Sequence, residues 1–556
     1  MHFKLNPYAL AFTSLFLVAC SGGKGSFDLE DVQPNKTTGV SKEEYKDVET
    51  DKKVKEQLGE LMEPALGYVV KVPVSQSGVK RTEISNPEAI TDEDLNKIPN
   101  YEIIKGVAYP NYGELVDKTA AETMKYVRSG YVIDVYHSGT RDKGYVFYKG
   151  ITPSKELPQG PALTYQGEWD FTSDANLNNE EGRPTYLNDD YYTTWIGKRA
   201  GLVSGDAKPS KHKYTSQFKV DFATKKMTGK LSDKEKTIYT VNADIRGNRF
   251  TGSATASDKD KGKGASYNFF SVDSQSLEGG FYGPKAEEMA GKFVADDKSL
   301  FAVFSAKHNA SNVNTVRIID ASKIDLTNFS ISELTNFGDA SVLIIDGKKM
   351  ELAGSEFTNK HTIDINGKKM VAVACCSNLE YMKFGQLWQQ TEGEKQVKDN
   401  SLFLQGERTA TDKMPKDGNY KYIGTWDAQV SKENNYWVAT ADDDRKAGYR
   451  TEFDVDFGSK NLSGKLFDKN GVNPVFTVNA KIDGNGFTGE AKTSDAGFVL
   501  DPGSLRHDNV KFSDVAVSGG FYGPTAAELG GQFRYQSDNG SVGVGAVFGA
   551  KQQVKK

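Results

Sequence analysis

The side chains nearest to a reactive grouping in this sequence are two runs of carboxylates, Asp189-Asp190 and Asp442-Asp443-Asp444, and one pair of adjacent thiols, Cys375-Cys376. Two carboxylates divide acid and base work when they face each other across a cleft of roughly 5–10 Å. Carboxylates adjacent in sequence do not, so both runs read as solvated loops. The thiols lack a CxxC spacing and a nearby histidine pair, which argues against a zinc or redox motif. Neighbouring cysteines can join only through an eight-membered ring, and the pair reads as two small side chains in the apolar strand MVAVACC. Of the six histidines, His2 lies near the N-terminus, His212 in a Lys-rich loop and His308 in a polar Asn/Ser stretch. No HExxH, GxSxG, Walker loop or helix-opening GxGxxG is present. No catalytic residue, cofactor or metal is therefore expected.

Cys20 has different surroundings. Lys4 precedes an apolar run, Tyr8 to Ala19, of about 12 residues, too short for a mature membrane span. The run ends in Leu17-Val18-Ala19-Cys20, which resembles the lipobox of bacterial lipoproteins, where the cysteine becomes the lipidated first residue. Ser21 stands where Asp would signal inner-membrane retention, so the resemblance implies an outer-membrane anchor. Residues 1–19 are thus expected to be a signal peptide. Residues 20–59, rich in Gly, Ser and Lys, are expected to form a flexible tether.

The remaining chain must be organised into several cores. Its 556 residues suggest roughly three or four domains. A 37% hydrophobic fraction is normal for a folded chain, and 70 basic against 75 acidic residues, spread evenly, exclude an electrostatic nucleic-acid binder. The organising feature is a repeat. GGFYGP occurs at 279–284 and again at 519–524; GEWDF (167–171) matches GTWDA (424–428); YTSQFKVDFATKKMTGKLSDK (214–234) matches YRTEFDVDFGSKNLSGKLFDK (449–469); TVNADIRGNRFTGSA (240–254) matches TVNAKIDGNGFTGEA (477–491). The blocks keep their order while the spacings between them vary, as in a duplicated domain with variable loops.

Within the blocks, polarity alternates with period two and Gly/Asn turns intervene, the pattern of short antiparallel hairpins with one wet face. Closing such a meander removes its open edges, so each unit is expected to be an eight-stranded barrel filled by side chains. The FYGP segments are read as architecture, with Pro284 opening a short helix over KAEEMA and Gly291 releasing the chain into the last strand. Less repetitive segments precede each barrel and include a helix pattern, LVDKTAAETMKYV. The expected fold is mainly β (α+β), with two homologous lobes: a mixed handle domain at 60–160, a barrel at 161–293, a second handle at 294–420 and a second barrel at 421–556.

Lipobox, tether, two handle-plus-barrel lobes and a spaced pair of FYGP-x-A-x-E-[LM]-x-G motifs together resemble the bacterial transferrin-binding protein B family. The resemblance covers essentially the whole mature chain. It implies a surface-exposed, non-enzymatic lipoprotein of the cell outer membrane that captures iron-loaded host transferrin, mainly through its N-lobe, and passes it to a TonB-dependent transferrin receptor channel. Iron is then bound only through the partner. Lactoferrin-binding relatives share the architecture but carry long acidic clusters in the C-lobe, where the densest run here is DDD at 442–444. A complement-factor-binding lipoprotein is a further alternative.

The repeat also separates scaffold from surface. Trp169 recurs as Trp426 and should point inward, whereas Phe171 faces Ala428 and precedes a polar loop, which makes it the leading candidate for an exposed transferrin anchor. Tyr191 and Tyr192 after that loop, and Tyr109 and Tyr112 in the first handle, are further candidates. For the anchor itself, Cys20→Ser should release folded protein from the outer-membrane fraction. Unchanged membrane retention on fractionation would contradict lipidation.

Overall fold

The computed structural model describes residues 45–49, 67–73, 88–89, 124–134, 143–173, 214–262, 268, 270–345, 348–365, 367–390, 397–443, 448–501 and 508–555. The first barrel runs through Leu163–Ser173, Tyr214–Asp221, Lys226–Asp233, Lys236–Arg246, Arg249–Ala256, Ser274–Tyr282, Glu288–Val294 and Leu300–Lys307, each antiparallel to the next. Leu300–Lys307 returns to Leu163–Ser173 and closes it, with Phe304 opposite Trp169 and Ala302 opposite Phe171. Alternation in sequence becomes alternation in space: along Tyr214–Asp221 the residues Tyr214, Ser216, Phe218 and Val220 are buried while Lys219 is exposed.

Two sequence expectations are corrected here. FAVFSA, residues 301–306, falls within the expected second handle at 294–420, beyond a barrel ending at 293; it belongs to the eighth strand, and the barrel extends to Lys307. Without it, Glu288–Val294 and Leu163–Ser173 would both present open edges. The expected KAEEMA helix is also absent. The chain turns through Gly283 (φ 92°) and Ala286 (φ 57°) and re-enters the sheet at Glu288. Six of the seven residues from Glu288 to Val294 are buried, which leaves no solvated face for a surface helix.

The second barrel repeats the first. Asn419–Lys432, Arg450–Asp456, Asn461–Phe467, Pro474–Asp483, Gly486–Lys492, Val515–Tyr522, Glu528–Gln536 and Val542–Lys555 form the ring, closed by pairing of the first with the last. One extra strand, Asn435–Ala439, folds back on the far half of Asn419–Lys432.

The handles are sheets. In the first, Glu88–Ala89, Gly67–Pro73, Lys143–Gly150 and Val127–Asp134 lie in that order; in the second, Ile331–Glu333, Ile319–Asp325, Val397–Glu407, Met382–Gln390, Lys368–Cys375 and Thr358–Ile365 do. Among the described residues no α-helix occurs. The helix pattern at 115–127 lies outside them except for its last four residues, of which Val127 opens a strand. Cys375 and Cys376 form a disulfide, which corrects their reading as two unjoined small side chains. Consecutive side chains point to opposite faces within a strand, and this strand ends at Cys375.

The lobes meet at the FYGP end of the first barrel. Glu156–Pro158 pairs with Thr315–Arg317, and Phe337 of the second handle packs against Tyr282 with ring centroids 6.3 Å apart. A first-lobe fragment ending at 293 should accordingly aggregate or unfold, whereas one ending at 310 should give a cooperative thermal transition. Equal melting curves for the two fragments would contradict closure by Leu300–Lys307.

Candidate functional site

Many of the residues common to both lobes lie at the handle-facing end of each barrel and are consumed by architecture. Glu288 accepts the backbone N–H groups of Lys125, Tyr126 and Val127 at 2.5, 2.7 and 2.8 Å; its counterpart Glu528 accepts those of Glu380, Tyr381 and Met382 at 2.5, 3.0 and 3.0 Å. Burial pushes the Glu528 carboxyl up to about 7, opposed by the N–H donors and by Lys551 and Lys383. The Tyr165 and Tyr422 hydroxyls each donate to a carbonyl of the FYGP turn, Ala286 and Ala526, at 2.6 Å. Asn248 donates to the Ser154 and Asn336 carbonyls, and Asn485 to those of Arg317 and Thr409. The FYGP segment is therefore a handle–barrel junction in both lobes.

The opposite end of each barrel is where the lobes differ. In the first, Leu163–Ser173 leaves the sheet into residues 174–213 and the chain returns at Tyr214. At the roots of that segment sits an aromatic cluster. Trp169 is fully buried and donates from Nε1 to the Ser232 carbonyl at 3.0 Å. Phe171 packs on Trp169, Tyr214 and Phe270 with centroids 5.2, 5.3 and 4.9 Å away. Tyr239 and Phe293 extend the cluster toward the barrel centre.

Phe171 is thus not the exposed anchor expected from the sequence, since only 7% of it is accessible. The expectation rested on Ala428, whose small side chain implied that the position tolerates truncation. The second barrel instead compensates. Trp437, from the extra strand, packs on Trp426, Tyr449 and Phe498 at 5.6, 6.0 and 5.4 Å, the counterparts of the three rings that Phe171 touches. Trp437 lies outside the aligned repeat blocks, so comparing positions could not reveal it. The signal available in sequence was its aromatic type within the otherwise polar NNYW stretch. Tyr109, Tyr112, Tyr191, Tyr192 and Cys20 lie outside the described residues.

Among the described residues this end holds buried rings beneath exposed ion pairs. Two exposed ion pairs lie here, Lys259–Asp273 at 2.7 Å and Lys261–Asp297 at 3.3 Å. Hydrogen bonds, from Lys259 foremost and from the Ala256 N–H, hold the Asp273 carboxyl below its usual range. His308 is a core residue at the other end: its Nδ1 accepts the Ala310 N–H, its ring edge meets Tyr165 at 5.1 Å, and burial lowers its pKa. Among the described residues no three His, Cys, Asp or Glu side chains converge as a metal site.

Comparison with known proteins gives the same layout. Residues 157–308 and 414–552 match the family described as C-lobe and N-lobe beta barrels of Tf-binding protein B, residues 316–409 its C-lobe handle domain and residues 44–154 its N-lobe handle. A transferrin-binding protein B from Neisseria meningitidis serogroup B is 35% identical over 609 aligned residues, covering 99% of this chain and 98% of that one. The crystal structure of a tryptophan-to-alanine variant of transferrin binding protein B, a vaccine antigen from Haemophilus parasuis Hp5, is 98% identical with a TM-score of 0.82, covering 92% of this chain and all of that one. A double variant of the same protein, with a tyrosine also replaced by alanine, gives the same values. The isotype 1 protein from serogroup B Neisseria meningitidis is 33% identical with a TM-score of 0.65.

Burial of Phe171 reverses the expected effect of removing it. Phe171→Ala should destabilise the first lobe by about 3–5 kcal/mol, the usual cost of truncating a buried phenylalanine. Scanning calorimetry should show the lower transition of that variant well below its position in the unaltered chain. A transition within a degree of the original would mean that Phe171 is not core.

Proposed function

Because the chain belongs to the transferrin-binding protein B family, we propose that it is a bacterial surface lipoprotein that captures iron-loaded host transferrin, mainly through its first lobe, and delivers it to a TonB-dependent transferrin receptor channel in the outer membrane. The family match along both handles and both barrels carries this reading. No catalytic step is assigned to it. Iron arrives and leaves inside the partner.

Asymmetry between the lobes supports the assignment to the first. At the ends far from the handles, the first barrel inserts residues 174–213 where the second has only 433–449, and the first insertion carries the aromatic run Tyr191-Tyr192-Thr193-Thr194-Trp195. Large aromatics are the side chains that most often anchor protein interfaces. A count that starts at Cys20 runs nineteen residues behind the numbering used here. On that count, the tyrosine and tryptophan replaced by alanine in the Haemophilus parasuis variants fall on Tyr186 and Trp195. Agreement of both residue types at a single offset also supports Cys20 as the first mature residue. Both residues lie outside the described ones, as do Tyr191, Tyr192, Tyr109 and Tyr112, which remain secondary proposals for transferrin contact.

Immobilised transferrin, iron-loaded or iron-free, provides the test. The unaltered chain should retain on the iron-loaded form. Tyr186→Ala and Trp195→Ala should each weaken binding by about 2 kcal/mol, roughly 30-fold, without moving the melting temperature. Preferential retention on lactoferrin or a complement factor would replace this reading with that of a same-architecture relative.

A further inference from the structure

A cavity of about 410 Å³ lies where the second handle meets the first barrel, and every residue of its wall is among those described. Three neighbouring strands of the handle sheet contribute Ala374, Lys383 and Glu407. Leu352 and Ala353 approach from the connection after Lys348–Glu351, Cys376 and Leu379 from the turn after Lys368–Cys375, and Arg249 from the first barrel. Sites for small molecules typically measure roughly 300–1,000 Å³ and set a few polar groups in a mostly apolar wall. This cavity has that size and that mixture.

The charged groups of the wall are engaged to different degrees. Lys383, 7% exposed, donates from Nζ to the Cys376 carbonyl at 2.5 Å and to that of Leu379. Glu380 pairs with Lys551 at 3.9 Å. Asp339 accepts the N–H and the hydroxyl of Ser341 at 2.9 and 2.6 Å, both on Oδ1. Glu407 is fixed through its backbone, its N–H donating to the Tyr381 carbonyl at 2.9 Å and its carbonyl accepting the Gly523 N–H at 3.2 Å. Burial raises the pKa of its carboxyl and Asp339 raises it further, against the opposing charges of Lys225 and Arg249. The cations already present thus fall short of offsetting a carboxylate at this position.

We propose that the cavity is a binding site for a small organic cation, an ammonium group on a compact apolar body, with the ammonium at Glu407 and Asp339 and the body against Leu352, Leu379 and Cys376. The two carboxylates repel an anion, and a neutral molecule of the same shape gains only apolar burial. Because the wall draws on both lobes, an occupant touches both and stabilises the folded chain by mass action. The inference stands independently of the transferrin reading.

The experiment uses the full chain at neutral pH with three probes of similar shape: benzylamine, benzyl alcohol and benzoate, which are cationic, neutral and anionic. Saturation-transfer NMR reads binding, and thermal melting reads stabilisation. Benzylamine should bind and raise the melting temperature, benzyl alcohol should bind about tenfold more weakly, and benzoate should not bind. Glu407→Gln should weaken benzylamine about tenfold, to the level of benzyl alcohol. Ala353, an exposed residue at the rim, permits a second variant that leaves the carboxylates in place: Ala353→Trp should abolish binding of benzylamine with the ligand-free melting temperature unchanged. Equal binding of the three probes overturns the proposal, as does benzylamine bound by Ala353→Trp as tightly as by the unaltered chain. Failure of benzylamine to bind the unaltered chain at millimolar concentration overturns it as well.

Discussion

A carboxylate buried against three backbone N–H groups is the interaction around which each lobe is assembled. Glu288 and Glu528 sit at 3% and 0% exposure, and each spans the boundary between a barrel strand and the first turn of a handle strand. A buried carboxylate is tolerable only when its oxygens are fully occupied. The three donors come from consecutive residues, so the handle turn must present them in one conformation. The FYGP turn must in its turn deliver the carboxylate, which explains why Gly283 and Gly523 adopt positive φ there. At Gly279 an added Cβ would lie 2.2 Å from the Ala290 carbonyl oxygen, so the approach of the two strands beside the turn also requires glycine. Once the turn, the strand pair and the handle are fixed together, little in this part of the lobe can vary.

The consequence is a barrel with one committed end and one free end. Every hydrogen bond shared between the repeats from Tyr165, Asn248, Glu288 and their counterparts lies at the committed end. The variable connections, 174–213 against 433–449 and 257–273 against 493–514, all emerge at the other. Duplication therefore left both lobes able to diverge at the same face. The second lobe used its freedom to add a strand, and the first to add a long insertion rooted on aromatic rings.

Much of this was legible in the sequence because strands with one wet face alternate, and FKVDF or TVNADI do so without exception. The eighth strand of the first barrel escaped for the same physical reason. Phe301 and Val303 pack outward against Val127, Val146 and Tyr148 of the handle, while Ala302 and Phe304 face the barrel interior. A strand covered on both faces loses its alternation and reads as a continuous apolar run. Phe171 was misread because a position-by-position comparison sees Ala428 but not Trp437, which reaches the same site from a different strand. Packing conserves occupied volume rather than alignment. The disulfide escaped because its geometry depends on where a strand ends.

The tyrosine of the FYGP motif shows how identical scaffold residues were put to different use. In the second lobe the Tyr522 hydroxyl donates to Asp320 at 2.8 Å, and Asp320 also pairs with Arg408, whose guanidinium holds that carboxyl well below its usual range despite complete burial. In the first lobe Tyr282 packs beside Phe337, and Val342 and Ile344 join it, all three from the second handle. The first barrel's committed end is thus finished by residues of the second lobe, through the shared cluster and through the Asn248–Asn336 bond of 2.9 Å. The junction contacts of the first lobe therefore gather at one end of its barrel, and the aromatic roots Trp169, Phe171, Tyr214 and Phe270 lie at the other.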